Sequence, residues 1–266
     1  MLIARNIQYL VQGRAIVNKV SLQLNPGELT AIVGPNGAGK SSLLKVLAGD
    51  YKAQAGEIIY NGKAIENHRP KDLAKIRAVM PQHSQLTFPF KVKEVVELGL
   101  LSLGMAGGEQ LVKEVMIETQ TWGFRDRLYG ALSGGEKQRV QLARVLVQVW
   151  AGSDQPKFLL LDEPTSSMDI AHQHQVLHIA SQLKRKKIAV LAVLHDLNMA
   201  AAYADQVILL KEGKVYQQGA VAEVMASQHL EHVFEHPILV RNGYDGMPHF
   251  IQSLPVHHQS HTFKIA

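Results

Sequence analysis

The sequence predicts an α/β protein with a mainly parallel sheet, additional antiparallel β elements and an inserted helical subdomain. Short apolar runs rich in β-branched residues alternate with longer helical patterns, as they do where helices flank a parallel sheet. Between about residues 83 and 150 the pattern is helical, which indicates an insertion into that core. The 266 residues are 46% hydrophobic and 19% charged, a balance typical of a globular chain with a sizeable core.

The strands are predicted where short apolar runs are bounded by turn-forming residues. An early strand ends at Pro26-Gly27, and a late hairpin turns at Glu212-Gly213. The predicted strands are Val20–Leu24, Leu29–Val33, Ile76–Met80, Phe158–Leu161 and Ile188–Leu194, followed by the hairpin strands Val207–Leu210 and Val215–Gln217.

Three regions follow from these patterns. An α/β core comprises residues 1–83 and 151–220, and a helical subdomain comprises residues 84–150. Within the subdomain, apolar residues recur at helical spacing from Val92 to Leu100 and again from Leu111 to Met116, with glycines between the two stretches. Residues 221–266 form a less regular C-terminal appendage that is rich in histidine.

Composition excludes several classes of function. The chain has no cysteine, so it has no disulfide, thiolate metal site, iron–sulfur cluster or cysteine nucleophile. The net charge of +5 suits phosphate ligands or an acidic membrane surface, and it is far from the basic stripe of a nucleic-acid-binding protein. The first residues do not resemble a secretory leader, and no apolar run is long enough to span a bilayer, so we expect a cytosolic chain unless a partner holds it at a membrane.

The strongest local signal is a glycine-rich segment that matches the pattern G-x-x-x-x-G-K-[ST] between a predicted strand and a predicted helix. Glycines let several backbone N–H groups converge on one anion, and the positive end of the helix favours the same charge. The lysine supplies a positive charge for the β- and γ-phosphates, and the hydroxyl after it suits Mg²⁺. The predicted phosphate cradle comprises Gly34, Pro35, Asn36, Gly37, Ala38, Gly39, Lys40, Ser41 and Ser42.

Two carboxylates follow the apolar run that ends at Leu161. Asp162 can hold Mg²⁺, and Glu163 is predicted to point elsewhere, because successive side chains diverge along an extended chain. Glu163 could then accept a proton from an attacking water. Alone, the pair would be interpreted as a solvated end of a strand, but beside a phosphate cradle a catalytic role is favoured.

Other polar residues also follow predicted strands. Gln82 comes after Met80, and His195 comes after Leu194. Since ligands bind at the carboxyl edge of open α/β sheets, Gln82, His195, Asp162 and the cradle are expected to meet there.

A further motif, Leu132-Ser133-Gly134-Gly135-Glu136, precedes the helical pattern Val140–Trp150. The spacing from Ser133 to Glu136 predicts a capping box at the start of that helix. Two glycines at a helix start also expose N–H groups that could bind a second anion.

Taken together, these motifs resemble those of the ATP-binding subunits of ABC transporters, in the same order, from about Leu2 to Gly219. The resemblance implies a RecA-like P-loop NTPase core that binds ATP and Mg²⁺. It implies catalytic roles for Glu163, His195 and Gln82, with Ser41, Gln82 and Asp162 at the metal, and Tyr9 resembles the aromatic residue that stacks on adenine. Ser133, Gly134, Gly135, Glu136 and the D-loop residue Asp169 are implied to contact ATP bound to a second subunit.

A narrower resemblance is to importers of iron chelates, cobalamin and haem. It rests on Pro81-Gln82-His83-Ser84, Phe88-Pro89-Phe90, the run from Asp169 to His174, and the run from Leu194 to Asn198. The combination most resembles hemin importers, with ferric siderophore or cobalamin as the alternative cargo. It implies a homodimer at the cytoplasmic face of the inner membrane, two transmembrane permease subunits, and a periplasmic binding protein that acts indirectly.

Three other classes of ATPase or GTPase fit the sequence less well than this interpretation. Chromosome-maintenance and repair ATPases insert a long coiled coil between the cradle and the second glycine motif, and this chain has no sustained heptads there. Translation-associated ATPases normally carry two such cassettes in one chain. A guanine-nucleotide switch would need an N-K-x-D motif, which the chain lacks.

Overall fold

In a computed structural model of the chain, the described residues are 1–82, 88–101, 104, 108–151, 155–243 and 248–253. Short 3₁₀ turns lie at Ile65–Asn67, Trp122–Phe124, Tyr129–Ala131 and Leu183–Lys186. The strands are β1 (Leu2–Val11), β2 (Arg14–Leu24), β3 (Leu29–Val33), β4 (Ala55–Tyr60), β5 (Lys63–Ala64), β6 (Arg77–Met80), β7 (Phe158–Asp162), β8 (Ala189–Val193), β9 (Gln206–Lys211), β10 (Lys214–Ala220), β11 (Ile238–Asn242) and β12 (Pro248–Ser253). The helices are α1 (Lys40–Ala48), α2 (Pro70–Ile76), α3 (Val92–Leu101), α4 (Glu109–Glu118), α5 (Gly134–Trp150), α6 (Ile170–Gln182), α7 (Leu197–Tyr203), α8 (Val221–Val224) and α9 (Ser227–Phe234).

The central sheet is mainly parallel, as the sequence predicts. Among the described strands its order is β10-β9-β3-β8-β7-β6, and all neighbours are parallel except the hairpin pair β9 and β10. Strands β3, β7 and β8 are buried on both faces, which explains why they are almost entirely apolar, with Thr30 in β3 and Asp162 at the end of β7 as the polar residues.

A second, antiparallel sheet has the order β2-β1-β4-β5. The apolar pattern did not predict β1 or β4, and it identified only the second half of β2. In β1, Leu2, Ala4 and Ile7 are buried, but the register shifts between Ala4 and Ile7, so the alternation of period two is interrupted. Asn6, with φ 48°, lies at that irregularity.

Side chains alternate between two hydrophobic clusters on the two faces of the central sheet. Leu29, Ala31 and Val33 face the cluster that contains the apolar stripes of α3, α4 and α5. Ile32 faces the other cluster, which contains α1 and the antiparallel sheet. The helical insertion therefore packs on one sheet face and shares its core.

The appendage is more regular than the sequence suggests. It contains α8, α9 and the β11–β12 hairpin, and Leu230, Val233 and Ile238 are buried in the same cluster as the helical insertion. Asn198 of α7 holds the hairpin through both groups of its amide, which bond to the backbone of Ile251 at 2.8 and 3.1 Å. His257, His258 and His261 lie outside the described residues.

Within the described ranges, none of the helices combines the length and the apolar character that crossing a bilayer requires.

Candidate active site

Four motifs meet at the carboxyl edge of the central sheet. The cradle follows β3, His195 follows β8, Asp162 ends β7, and Gln82 follows β6. These strands are consecutive neighbours in the sheet, so the motifs stand side by side. This is the edge at which the sequence places them and at which open α/β sheets bind ligands.

Two glycines of the cradle are required by neighbouring backbone. A Cβ atom on Gly34 would lie 2.1 Å from the carbonyl oxygen of Leu210, and one on Gly39 would lie 2.5 Å from that of Ile16. Gly39 also has φ 95° at the N-cap of α1, a conformation that L side chains rarely adopt. Any larger residue at either position would push the loop away from the strands that support it.

Lys40 is the first residue of α1, and only 6% of it is exposed. Its Nζ donates to the carbonyl oxygens of Gly34 at 2.8 Å and Pro35 at 2.9 Å. Burial lowers the pKa of Lys40, while the charges of Glu163 and Asp162 oppose that shift. The ammonium group is therefore fixed inside the turn, where it can meet a phosphate group.

Ser41 and Asp162 form a pair of oxygen donors beside the cradle. Ser41 Oγ donates to Asp162 Oδ1 at 2.8 Å. Asp162 is 1% exposed, and its Oδ2 is buried without a hydrogen-bond partner among the described residues. Burial raises the pKa of this carboxyl, with the hydrogen bond from Ser41 opposing the rise. A hydroxyl and an unpartnered carboxylate oxygen fit Mg²⁺, which prefers oxygen ligands and would satisfy the orphaned atom.

Glu163 is held at both of its carboxylate oxygens. Gln82 Nε2 donates to Oε2 at 2.6 Å, and His195 Nε2 lies 2.6 Å from Oε1. The Glu163 side chain is 15% exposed, so it is accessible from the cleft while its position is fixed. Glu163 points to partners other than that of Asp162, as predicted. The expected cause, an extended chain, is wrong, since Glu163 has left the strand and adopts φ 51°.

The capping box predicted at Ser133 and Glu136 is present. Ser133 Oγ accepts from the backbone N–H of Glu136 at 3.3 Å, and Glu136 Oε2 accepts from the N–H of Ser133 at 2.8 Å. The box opens α5 at Gly134, so the helix begins six residues before the predicted start at Val140. The same bond from Ser133 lowers the pKa of Glu136.

The capping box carries a testable prediction about stability. Ser133→Ala removes one reciprocal bond and should cost about 1 kcal/mol of unfolding free energy, whereas Glu136→Gln keeps an acceptor and should cost less than about 0.5 kcal/mol. Denaturant unfolding of both variants measures the difference. A loss in Glu136→Gln as large as that in Ser133→Ala would contradict this expectation and show that the charge of Glu136, which also pairs with Arg127 at 3.2 Å, contributes as much as the lost bond.

Gln138 joins three parts of the site, and no role was predicted for it from its motif. Its Nε2 donates to the backbone oxygen of Gln82 at 3.3 Å and to Ser166 Oγ at 3.0 Å. A Cβ atom on Gly135 would lie 3.1 Å from the carbonyl oxygen of Ser167, so the start of α5 packs closely on this loop. The one sequence feature that could have indicated this role is the position of Gln138, five residues after the predicted cap Ser133 and therefore near the start of α5.

Asp169 is occupied within its own chain. It caps α6 by accepting from the backbone N–H of His172 at 2.9 Å, and the His172 ring lies 2.8 Å from the same carboxylate.

The histidine side chain at position 174 also has a partner, since His174 Nδ1 lies 2.8 Å from the Tyr203 hydroxyl. No group of three or more histidine or acidic side chains suited to a metal ion occurs within the described ranges.

The ring of Tyr9 is engaged elsewhere. It stacks on Tyr51 with ring centroids 5.0 Å apart and an interplanar angle of 14°. The cavity beside the cradle is lined instead by residues that follow the β1–β2 turn, including Arg14 and Ile16. Tyr9 therefore does not line that cavity in this structure.

Residues 17–166 match the family model described as ABC transporter. The chain belongs to the ABC transporter family. This segment covers more than half of the chain and contains the cradle, the capped glycine motif and both carboxylates. The chain is thus an ATP-binding subunit of a transporter complex, and it hydrolyses ATP.

Relatives and solved structures agree with this assignment. A hemin import ATP-binding protein (HmuV) of Gloeobacter violaceus is 47% identical over 87% of this chain and 86% of its own length. The protein of that name from Aliivibrio fischeri is 45% identical over 90% of this chain and 92% of its own length. A putative metal-chelate type ABC transporter in an inward-facing conformation has the same fold, with a TM-score of 0.78 over 96% of this chain and 97% of that chain at 24% identity.

Proposed function

We propose that this ABC ATPase drives the import of hemin, and that Glu163 is the general base of its reaction. The observation that carries the catalytic proposal is the carboxylate of Glu163, which Gln82 and His195 hold beside Lys40 and Asp162. Phosphoryl transfer needs positioned groups and charge stabilisation more than covalent catalysis, and this arrangement supplies both.

The reaction assigns one task to each side chain. The cradle N–H groups and Lys40 bind the β- and γ-phosphates, and Ser42 adds a hydroxyl near the α-phosphate. Glu163 accepts a proton from water as the water oxygen bonds to the γ-phosphorus, and the bond to the ADP oxygen breaks. Before this transfer, when ATP binds, His195 leaves Glu163 to contact the γ-phosphate and hold the attacking water, and Gln82 keeps the carboxylate oriented.

Mg²⁺ fits the oxygen atoms at the end of β7. Ser41 and Asp162 would hold it, with Gln82 nearby. When bound, the ion neutralises charge on the β- and γ-phosphates. The buried and unpartnered Oδ2 of Asp162 supports this proposal.

A second copy of the chain completes each site in this proposal. Ser133 and Gly134 are exposed, so the Ser133 hydroxyl and the N–H group of Gly134 can meet a γ-phosphate held by another protomer, while the N–H of Ser133 is used by the capping box. Gly135, Glu136 and Asp169 support that surface from behind, through the capping box and the cap of α6. A ligand shared across the interface would favour the closed dimer only while the γ-phosphate is present.

The helical subdomain, residues 84–150, is the proposed contact with two transmembrane permease subunits. Phe88 is 71% exposed near its start, and its ring lies 6.0 Å from that of Phe90, which packs on the core. An exposed aromatic residue anchored in this way suits a surface that docks a partner. This contact would hold the chain at the cytoplasmic face of the inner membrane, with a periplasmic binding protein acting through the permease and no nucleic acid involved.

Hemin is the cargo that the relatives favour, since relatives at 40–47% identity carry hemin import in their names. Ferric siderophore or cobalamin is the alternative cargo, since the sequence motifs resemble those of importers of all three chelates. The test purifies the chain with its permease in lipid and adds binding protein loaded with each chelate. We expect hemin-loaded protein to stimulate ATP hydrolysis several-fold over the unloaded protein, and stimulation by another chelate alone would reassign the cargo.

A further inference from the structure

A cavity of about 470 Å³ opens beside the cradle, within the size range of small-molecule sites. Its walls come from the cradle turn, the first residues of β2, the β9–β10 turn and the end of α9. Ile16 and Phe234 contribute apolar surface, and Arg14 and Glu235 contribute charge. The C-terminal appendage thus lines the same cavity as the phosphate-binding loop.

The appendage is fastened to the cradle through a short chain of hydrogen bonds. The backbone N–H of Gly213 donates to the carbonyl oxygen of Ala38 at 2.9 Å. Two residues earlier, Lys211 Nζ donates to the carbonyl oxygen of His232 at 2.7 Å and pairs with Glu235 at 2.8 Å. The end of α9 is therefore positioned by the same turn that supports the cradle.

The cavity also lacks the aromatic residue that the sequence offered for adenine. Tyr9 is stacked on Tyr51, whereas Phe234 is a half-buried aromatic residue that lines the cavity. A nucleotide whose phosphates lie in the cradle has its nucleoside half free to enter the adjoining cavity. A flat base entering this space would meet an aromatic ring, the side chain best suited to stack on it.

We propose that the C-terminal appendage forms one wall of the nucleoside site, and that Phe234 packs against the base of the ATP whose phosphates the cradle holds. This inference rests on the proposed nucleotide-binding function. It assigns to residues 233–235 a ligand contact outside every motif that the sequence singled out. The appendage then determines nucleoside affinity, while the cradle determines phosphate affinity.

The test separates the two halves of the ligand by calorimetric titration of the full chain with MgATP and with magnesium tripolyphosphate, which has no nucleoside. Phe234→Leu keeps apolar volume and removes the ring, so we expect ATP affinity to fall about tenfold while tripolyphosphate affinity stays within about twofold. Val240→Ala is the matched control, since Val240 packs in the same appendage and does not line the cavity. It should leave both affinities within about twofold.

Each other outcome decides the question. Unchanged ATP affinity in Phe234→Leu, or an equal loss for ATP and tripolyphosphate, overturns the inference and leaves ATP binding itself intact. A wild-type chain that binds neither ligand overturns the proposed function and this inference with it. Thermal unfolding is recorded first, and if Phe234→Leu does not fold, Phe234→Met, which also lacks a ring, carries the same expectation.

Discussion

Glu163→Gln should lower ATP turnover by about 10²–10⁴-fold while ATP binding is retained. The amide keeps the shape of the carboxylate but cannot accept a proton from water. Both oxygens of Glu163 are already held by Gln82 and His195, so the substitution changes the chemistry with little change in packing. Steady-state phosphate release and ATP titration of the same preparation measure the two quantities.

The matched control for Glu163→Gln is Glu66→Gln, an exposed carboxylate in the 3₁₀ turn Ile65–Asn67 that belongs neither to the cradle nor to the lining of the cavity beside it. Its effect on turnover should be less than about threefold, since surface substitutions away from such features change little. Unchanged turnover in Glu163→Gln would remove Glu163 from the role of general base. Loss of ATP binding in that variant would show a structural role instead.

Lys40→Ala should weaken ATP binding by about 10–100-fold, because a charge-assisted contact contributes about 1.5–3 kcal/mol. Lys40 is buried under the cradle, so water cannot replace the lost ammonium as it would on the surface. The carbonyl oxygens of Gly34 and Pro35 also lose their donor, and a lower melting temperature should accompany the loss of affinity.

Titration of ATP into Lys40→Ala and Lys52→Ala measures this effect. Lys52 is exposed just beyond α1. Its substitution by alanine removes the same charge from the protein and leaves the cradle unchanged. We expect its affinity to match that of the wild type. An affinity of Lys40→Ala within about twofold of the control would contradict the assignment of the cradle.

Sequence patterns predicted β3, β7 and β8 well because these strands of the central sheet are buried on both faces. Leu29–Val33 was predicted with its observed bounds, since all of its residues are buried and all but Thr30 belong to one of two hydrophobic clusters. Strand β1 has no such run, because only one face is buried and its register against β2 shifts three times along its length. Half-buried strands with bulges lose the period on which the prediction depends.

The candidate site also contains residues that the sequence could place and residues that it could not. Asp162 and His195, which lie at or just beyond the ends of strands, are at the predicted edge, because the topology of a parallel sheet fixes where strand ends meet. The stacking of Tyr9 on Tyr51, the bonds of Gln138 and the approach of Phe234 to the cradle join segments that are distant in sequence. No local pattern encodes such contacts, so they required the structure.

In the proposed dimer, two copies enclose ATP between the cradle of one and the glycine motif of the other. Since the chain has no cysteine, single-cysteine variants are clean probes. Asn36→Cys and Ala131→Cys place thiols at exposed positions on the cradle and just before the glycine motif. Both are made in the Glu163→Gln background, mixed, and treated with a short bifunctional maleimide.

A head-to-tail dimer predicts a crosslink between position 36 of one chain and position 131 of another. The crosslink should form with ATP and be lost with ADP. Peptide mapping of the crosslinked product identifies the positions joined. Crosslinks that join only like positions, or a yield that is the same with and without ATP, would contradict the claim.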